Sequence, residues 1–343
     1  MIVALAIGVS AQAQTKGEKI KEFADKYLHL SGYLQGGFRW DEGADPETTF
    51  YLHRARLSLT GDVADNKFDY RLQVDMAGSP KICDLYFRYK PLKALNIELG
   101  QFKIPFSYEN ENCGPTTVEF IEYSYITTYL ARNDDRYDGI KATGRDIGFQ
   151  IYGGFIEREG YSIINYNIGV FNGNGINNPK DHNSSKDYIA RLVIKPFKGF
   201  AVTGSYMYAE TDYANNEYMK SPRWAAGVLY DSRHWVARSE YAEAMFGNER
   251  TRAFYALGGY HFEKPWSVIA RYEFINGVYQ VKDKEEKYNP VLMDEQRIQL
   301  GVAYKPFKFL RIQSNLSYTM PFMADVPVRK SSLGFNLLVT AMF

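Results

Sequence analysis

The most constraining feature of this sequence is a period-two alternation of apolar and polar side chains that begins at Leu28 and recurs throughout the chain. In the first segment Leu30 and Leu34 alternate with Ser31 and Gln35. This spacing places successive side chains on opposite faces of a β-strand. We therefore predict an all-β chain of about sixteen antiparallel strands, each with one apolar and one polar face. The predicted strands are Leu28–Trp40, Tyr51–Gly61, Phe68–Asp75, Cys83–Tyr89, Leu95–Phe102, Asp146–Phe155, Ile164–Asn172, Asp187–Ile194, Phe200–Ala209, Arg223–Asp231, Trp235–Ala242, Ala253–Phe262, Trp266–Phe274, Arg297–Lys305, Leu310–Tyr318 and Ser332–Phe343.

Composition limits how such strands can be buried. The mean hydropathy is −0.38, and beyond the first residues the chain has no apolar stretch of the length, about 18 residues, that a spanning helix requires. Aromatic residues nevertheless make up 16% of the 343 residues. A transmembrane β-barrel spreads its apolar side chains over alternate positions and so gives no hydropathy signal. Lys and Arg (41) balance Asp and Glu (40), so no charge excess indicates a nucleic-acid partner.

The connections between the predicted strands alternate in length. Asp41–Thr48 is long and Val63–Asn66 is tight, and the longest connection, Lys103–Arg145, follows a tight turn at Pro91–Ala94. Bacterial outer-membrane barrels have short periplasmic turns and long external loops. The sequence therefore predicts a barrel in the bacterial outer membrane. Later long connections are Gly173–Lys186, Glu210–Pro222 and Ile275–Gln296, and later tight ones are Pro196–Gly199 and Glu263–Pro265.

Two further patterns support this arrangement. Lys-Pro-Leu-Lys at 90–93 and Lys-Pro-Phe-Lys at 195–198 and 305–308 each follow an even-numbered predicted strand. Proline ends a hydrogen-bonded ladder, so the repeat predicts turns at one rim. The last strand alternates up to Phe343. This ending is similar to that of bacterial outer-membrane proteins, which implies that Phe343 is the signal recognised by the barrel-assembly machinery.

The first residues are predicted to lie outside the barrel. Residues 1–13 are apolar and end in Ala-Gln-Ala, the small-residue spacing that precedes a signal-peptidase cut. We expect a signal peptide here, without its positively charged start, and a buried N-terminal strand is the alternative. Residues 14–27 are polar and predict a periplasmic tether, so that the barrel occupies residues 28–343.

Four motifs carry a resemblance to a known family, namely Arg54–Gly61, Gly100–Phe106, Arg145–Gln150 and Tyr166–Gly173. Across roughly Leu28 to Phe343 the chain resembles the phosphate-selective porins of the O and P type. The resemblance implies a sixteen-stranded, homotrimeric barrel whose third external loop folds inward and constricts the pore. That loop corresponds to Lys103–Arg145.

The polar faces of the predicted strands carry the candidate selectivity residues. In a pore, selectivity depends on width and on the charges of the narrow part. Arg238 and Arg271 lie two residues before Glu240 and Glu273, positions at which they could pair. We predict a basic wall on the first four strands, which is formed by Arg39, Arg54, Arg56, Arg71 and Arg88.

The predicted constriction loop, residues 103–145, has five basic and seven acidic residues, a net charge of −2. Tight binding of a phosphate dianion requires surplus positive charge, so the loop argues against the phosphate selectivity that the resemblance implies. We expect a transverse field between basic wall and acidic loop, and structural ion pairs are the alternative. The candidate residues in the loop are Lys103, Glu109, Glu111, Glu119, Glu122, Arg132, Asp134, Asp135 and Arg136.

The predicted function is a passive, water-filled diffusion channel for small hydrophilic solutes, including anions such as phosphate, because about sixteen strands leave an aqueous lumen. The expected surroundings are the lipid bilayer and lipopolysaccharide, and no cofactor or metal is predicted. The alternatives are a barrel enzyme and a plugged binding or adhesion barrel. The chain contains no HExxH or GxSxG motif. Whether Cys83 and Cys113 pair is left open by the sequence.

Overall fold

The chain folds into a closed antiparallel β-barrel. The computed structural model describes residues 27–43, 47–63, 66–132, 143–178, 180–181, 183–213, 217–263, 265–282, 288–323 and 330–343. Its strands are β1 His29–Asp41, β2 Glu47–Val63, β3 Phe68–Asp75, β4 Lys81–Leu92, β5 Leu95–Lys103, β6 Arg145–Arg158, β7 Tyr161–Phe171, β8 Asp187–Ile194, β9 Phe200–Tyr208, β10 Glu210–Tyr213, β11 Glu217–Lys220, β12 Arg223–Asp231, β13 Trp235–Phe246, β14 Glu249–His261, β15 Trp266–Lys282, β16 Tyr288–Phe307, β17 Leu310–Met320 and β18 Ser332–Met342.

Sixteen of these strands close the barrel, each paired with its neighbour along the chain, and β10 pairs only with β11. The sixteen predicted strands are confirmed, and Phe68–Asp75, Asp187–Ile194 and Arg223–Asp231 have the predicted bounds. The barrel closes where β18 pairs with β1. There Phe343 and Gly32 exchange two backbone hydrogen bonds, both of 3.0 Å. Among the described residues, no helix is long and apolar enough to cross a membrane.

The outward face of the barrel carries the apolar half of the alternation. Leu52, for example, is 82% exposed. Aromatic rings stack near both ends of the barrel, with centroids 5.2 Å apart for Phe307 and Phe309 at the short-turn end and 4.4 Å apart for Phe274 and Phe322 at the long-loop end. Aromatic bands at the two interfaces flank the apolar zone of a transmembrane barrel.

The predicted alternation of tight turns and long loops is found, with two corrections. Phe246 and Glu249 are joined by only two residues, although this connection lies at the long-loop end. The predicted loop Ile275–Gln296 is largely strand, because β15 and β16 stay paired from Asn276 opposite Asp294 to Lys282 opposite Tyr288. Both hairpins extend the sheet at that end. Continuous pairing gives hydrogen-bond partners to backbone N–H and C=O groups that an irregular loop would leave unpaired.

The described part of the third loop, residues 104–132, folds into the lumen; we call it the inserted loop. It contains a short helix, α1 (Tyr108–Asn112), and a π-helical turn at Ile126–Leu130. Its apolar side chains share one buried cluster with strand residues such as Ala244 and Ala253. These strand positions face inward, so the loop lies inside the barrel, and the same cluster includes Phe102, Phe171 and Ile189 of the strands on the other side. The predicted inward-folded third loop is confirmed.

Several predictions fall outside the described residues. They concern the signal peptide at 1–13, the tether apart from Tyr27, and Asp134, Asp135 and Arg136. Cys83 and Cys113 are both buried and free, so they form no disulfide.

Candidate permeation pathway

Three cavities follow one another along the inner side of β1–β8, which we call the passage wall. The cavity nearest the long-loop end has a volume of about 150 Å³, the middle one about 460 Å³ and the one at the short-turn end about 540 Å³. The first two share Arg56 and Lys103, and the last two share Glu111 and Asn167. The cavities are therefore neighbours in a row between the inserted loop and the passage wall, and we call this row the passage.

The cavity at the long-loop end, the outer cavity, is strongly basic. Within it, Arg54 Nη1 donates to the neutral Oε1 of Gln35 at 3.0 Å. In the part of the chain that the structure describes, no carboxylate pairs with Arg54. A guanidinium stays charged in proteins, so Arg54 contributes a full positive charge. The charged residues of this cavity are Arg54, Arg56, Lys81, Lys103, Arg145 and Asp75.

The rest of the predicted basic wall is paired with carboxylates. Arg56 and Asp75 are both 4% exposed and lie 2.9 Å apart, N to O. Structural ion pairing, the alternative considered from the sequence, therefore describes four of the five arginines. The other pairs are Arg39 with Glu47 (2.6 Å), Arg71 with Asp84 (3.3 Å), and Arg88 with Asp69 (3.3 Å) and Glu98 (3.4 Å).

The inserted loop directs most of its acidic side chains away from the passage. Glu119 and Glu122 bind arginines of the opposite side of the lumen, β9 and β12–β17, which we call the packing wall. Glu111 is the exception, because it lines the passage and pairs with Arg191 of the passage wall. The loop faces the middle cavity mainly with the uncharged segment 114–117. Within residues 104–132, the acidic side of the expected transverse field is therefore reduced to Glu111.

Glu109 is the most deeply buried carboxylate of the inserted loop. Its Oε2 accepts hydrogen bonds from Ser124 N (2.8 Å) and Ser124 Oγ (2.6 Å), and its Oε1 lies 3.6 Å from Arg271 Nη1. Burial raises the pKa of Glu109, and the positive charge of Arg271 opposes that rise without cancelling it. Glu109 thus holds the loop together rather than facing solutes.

One of the two predicted pairs on the packing wall forms. Arg271 and Glu273 lie 3.2 Å apart. Arg238 instead binds Glu119, and Glu240 accepts hydrogen bonds from Ser107 Oγ at 2.9 Å and from backbone N–H groups of the loop. The predicted Arg238–Glu240 pair is wrong, because the inserted loop offers each residue a better-placed partner.

The two ends of the loop are also tied to the barrel. Lys103 Nζ donates to the backbone oxygens of Asn110 (2.6 Å) and Cys113 (3.0 Å). Arg132 is fully buried, and its Nη1 lies 3.3 Å from Asp146 Oδ2 and 2.5 Å from Asp187 Oδ2. Both residues were predicted as charges at the constriction. In the structure Lys103 binds the backbone of the loop, and Arg132 joins the end of the loop to β6 and β8.

The carboxylates of the passage wall were missing from the predicted site. Asp75 lies directly opposite Arg56 on the neighbouring strand, and Arg88 lies opposite both Asp69 and Glu98. Directly opposed side chains in an antiparallel pair interact. Counting the register outward from the tight turn between β2 and β3 would have revealed the Arg56–Asp75 pair. Register shifts in the β3–β4 and β4–β5 pairings hide the two partners of Arg88 from such a count.

A closed sixteen-stranded barrel with an inserted loop and a polar passage defines a porin, a passive diffusion channel of the bacterial outer membrane. Residues 30–242 match the family described as phosphate-selective porin O and P. The chain belongs to this family of channels. No curated protein matches the chain in sequence.

Three solved structures illustrate the fold. The anion-selective porin from Comamonas acidovorans is 11% identical, with a TM-score of 0.68 over 92% of this chain and 99% of that chain. OprB of Pseudomonas putida, in its high-pH structure, is 11% identical, with a TM-score of 0.69 over 95% and 97%. The trimer form of OmpT from Vibrio cholerae is 14% identical, with a TM-score of 0.61 over 92% and 99%.

Proposed function

We propose that this porin prefers small hydrophilic anions and that Arg54 carries the preference. The supporting observation is that Arg54 lines the outer cavity with only a neutral amide as its partner. The other arginines of the predicted basic wall are matched by carboxylates. A positive charge at a water-filled constriction raises the local concentration of anions and lowers that of cations.

The proposed preference is for anions as a class rather than for phosphate. A site that strips water from a dianion requires several donors without competing carboxylates. Arg71 and Arg88, further along the passage, have Asp84 and Glu98 as partners. We therefore expect phosphate to pass without saturating the channel at low concentration. The row of polar cavities along the passage wall supports a channel over a barrel enzyme or a plugged barrel.

The test is the reversal potential of single channels in a planar bilayer under a potassium chloride gradient. We expect chloride selectivity in the unmodified protein. Arg54→Gln should lower the chloride-to-potassium permeability ratio by about threefold, a modest change because salt screens the charge. Arg158→Gln is the matched control, since it removes the same charge from a side chain that is 57% exposed and lines none of the three cavities. Equal effects of the two variants, or cation selectivity of the unmodified channel, would contradict the proposal.

We further propose that the chain forms a homotrimer, for which the trimer form of the Vibrio cholerae OmpT is the support. Cross-linking of the folded protein in detergent should end at a three-subunit species. A ladder that stops at one or two subunits would contradict this.

A further inference from the structure

The middle cavity presents alternating hydrogen-bond donors and acceptors along β4–β7. Arg88 Nε lies 3.4 Å from Glu98 Oε1, and Glu98 Oε2 accepts from Gln150 Nε2 at 2.6 Å. Asn167 Nδ2 then donates to Gln150 Oε1 at 3.4 Å and to Glu111 Oε1 at 3.1 Å. All five side chains line the cavity. Along this row a guanidinium is followed by a carboxylate, two amides and a second carboxylate.

A second row of the same kind lies beside it. Arg71 Nε is 3.3 Å from Asp84 Oδ2, and Asp84 Oδ1 accepts from Arg145 Nε at 2.6 Å. Gln73 Nε2 donates to Ser58 Oγ at 2.7 Å. An ionised carboxylate offers about four acceptor positions, so Asp84 and Glu98 retain acceptor capacity towards a solute.

These rows suit hydroxyl groups better than bare anions. A simple anion only accepts hydrogen bonds, so it gains from Arg71 and Arg88 but is repelled by Asp84 and Glu98. A hydroxyl both donates and accepts, and it can therefore bridge a carboxylate and the neighbouring guanidinium. Hydrogen bonds to charged partners are stronger than those between neutral groups.

Aromatic rings complete this lining. Tyr33, Tyr86 and Tyr152 line the middle cavity, and the Arg88 guanidinium lies 4.3 Å from the centre of the Tyr86 ring. Rings offer flat apolar surfaces to the C–H faces of a solute, while the polar rows hold its hydroxyls. The volume of about 460 Å³ lies within the range of small-molecule sites.

We propose that the passage recognises polyhydroxylated carboxylates, the class of sugar acids. The outer cavity, through Arg54, takes the carboxylate, and the middle cavity binds the hydroxyls. The assignment of the carboxylate rests on the proposed anion preference. The assignment of the hydroxyls rests on the mixed lining of the middle cavity alone.

The test compares three solutes as blockers of chloride current through the unmodified channel. Gluconate has both carboxylate and hydroxyls, propionate has only the carboxylate, and glucose has only the hydroxyls. We expect gluconate to halve the current at a concentration about tenfold below that of either other solute, as one or two additional hydrogen bonds would give. Glu98→Gln should weaken the gluconate block and leave the propionate block unchanged. Glu159→Gln, at a side chain that is 66% exposed, is the matched control.

Each other outcome overturns the proposal. If gluconate blocks no better than propionate, the middle cavity does not bind hydroxyls, and if glucose equals gluconate, the carboxylate is not recognised. The reversal potential in potassium chloride, measured on the same channels, reports the anion preference separately. The three-solute comparison needs no variant, so it decides the matter even if Glu98→Gln does not fold.

Discussion

Arg238 of β13 and Glu119 of the inserted loop form a doubly hydrogen-bonded ion pair, with N to O distances of 2.7 and 2.6 Å. Both side chains are 7% exposed. The two residues are 119 positions apart in the sequence. Their pairing ties the loop to the packing wall, on the side of the lumen opposite the passage.

Glu119→Gln should destabilise the docked loop. Removing one partner of a buried ion pair leaves the other charge uncompensated, at a cost of about 3–5 kcal/mol. We expect a lower midpoint in denaturant unfolding and larger fluctuations of single-channel current. Glu122→Gln is the control, because Glu122 pairs with Arg297 but is 43% exposed, and more exposed pairs contribute less. Indistinguishable effects would show that the Arg238 pair does not anchor the loop.

Cys113 should report whether the loop is docked. It is buried, its Sγ lies 3.2 Å from Arg238 Nη1, and burial raises the pKa of its thiol despite the nearby arginine. A protonated, buried thiol reacts slowly. In a Cys83→Ser background we expect maleimide to label the folded protein slowly and the Glu119→Gln variant about tenfold faster, measured by mass spectrometry. Rapid labelling of the protein with an intact loop anchor would be contrary to this arrangement.

Ala253→Leu should displace the loop, because Ala253 faces inward and is fully buried in the cluster that the loop forms with the barrel. Overpacking of this kind costs about 1–3 kcal/mol. Ala256→Leu, on the outward face of the same strand, should be nearly neutral. The temperature at which the folded barrel loses its gel mobility compares the two variants. If Ala256→Leu unfolded at a lower temperature than Ala253→Leu, the packing described here would be refuted.

Gly32→Ala should impair closure of the barrel. A Cβ at Gly32 would lie 2.6 Å from the Phe343 ring and 2.7 Å from the backbone oxygen of Arg56, and the latter cannot move freely. Gly204→Ala is the control, since the nearest atom to its Cβ would be 4.0 Å away. The folded fraction after refolding into detergent should fall only for Gly32→Ala. Whether Phe343 is also read by the assembly machinery stays a prediction, tested by replacing it with Ala in cells.

Strand prediction worked where one face meets lipid and the other meets water. Phe68–Asp75 and Asp187–Ile194 alternate clearly, and their bounds were predicted from the sequence. The alternation is weak in β14, because Ala253 and Leu257 face the apolar part of the inserted loop while Phe254 faces outward. One face of β14 is apolar because it packs against the inserted loop, and the other because it faces outward. A strand with two apolar faces shows no alternation of polar and apolar residues, so its boundaries are hard to predict from the sequence.

The sequence by itself determined the barrel, its strands and its two rims, because alternation and turn residues act over a few neighbouring positions. Only the tertiary structure decided which charges face the solute. Ion pairs such as Arg238 with Glu119 join residues far apart in the chain, and the path of the loop selects them. The same path leaves Arg54 with a neutral partner. Coulomb interactions depend on distance in space, which a one-dimensional pattern does not contain.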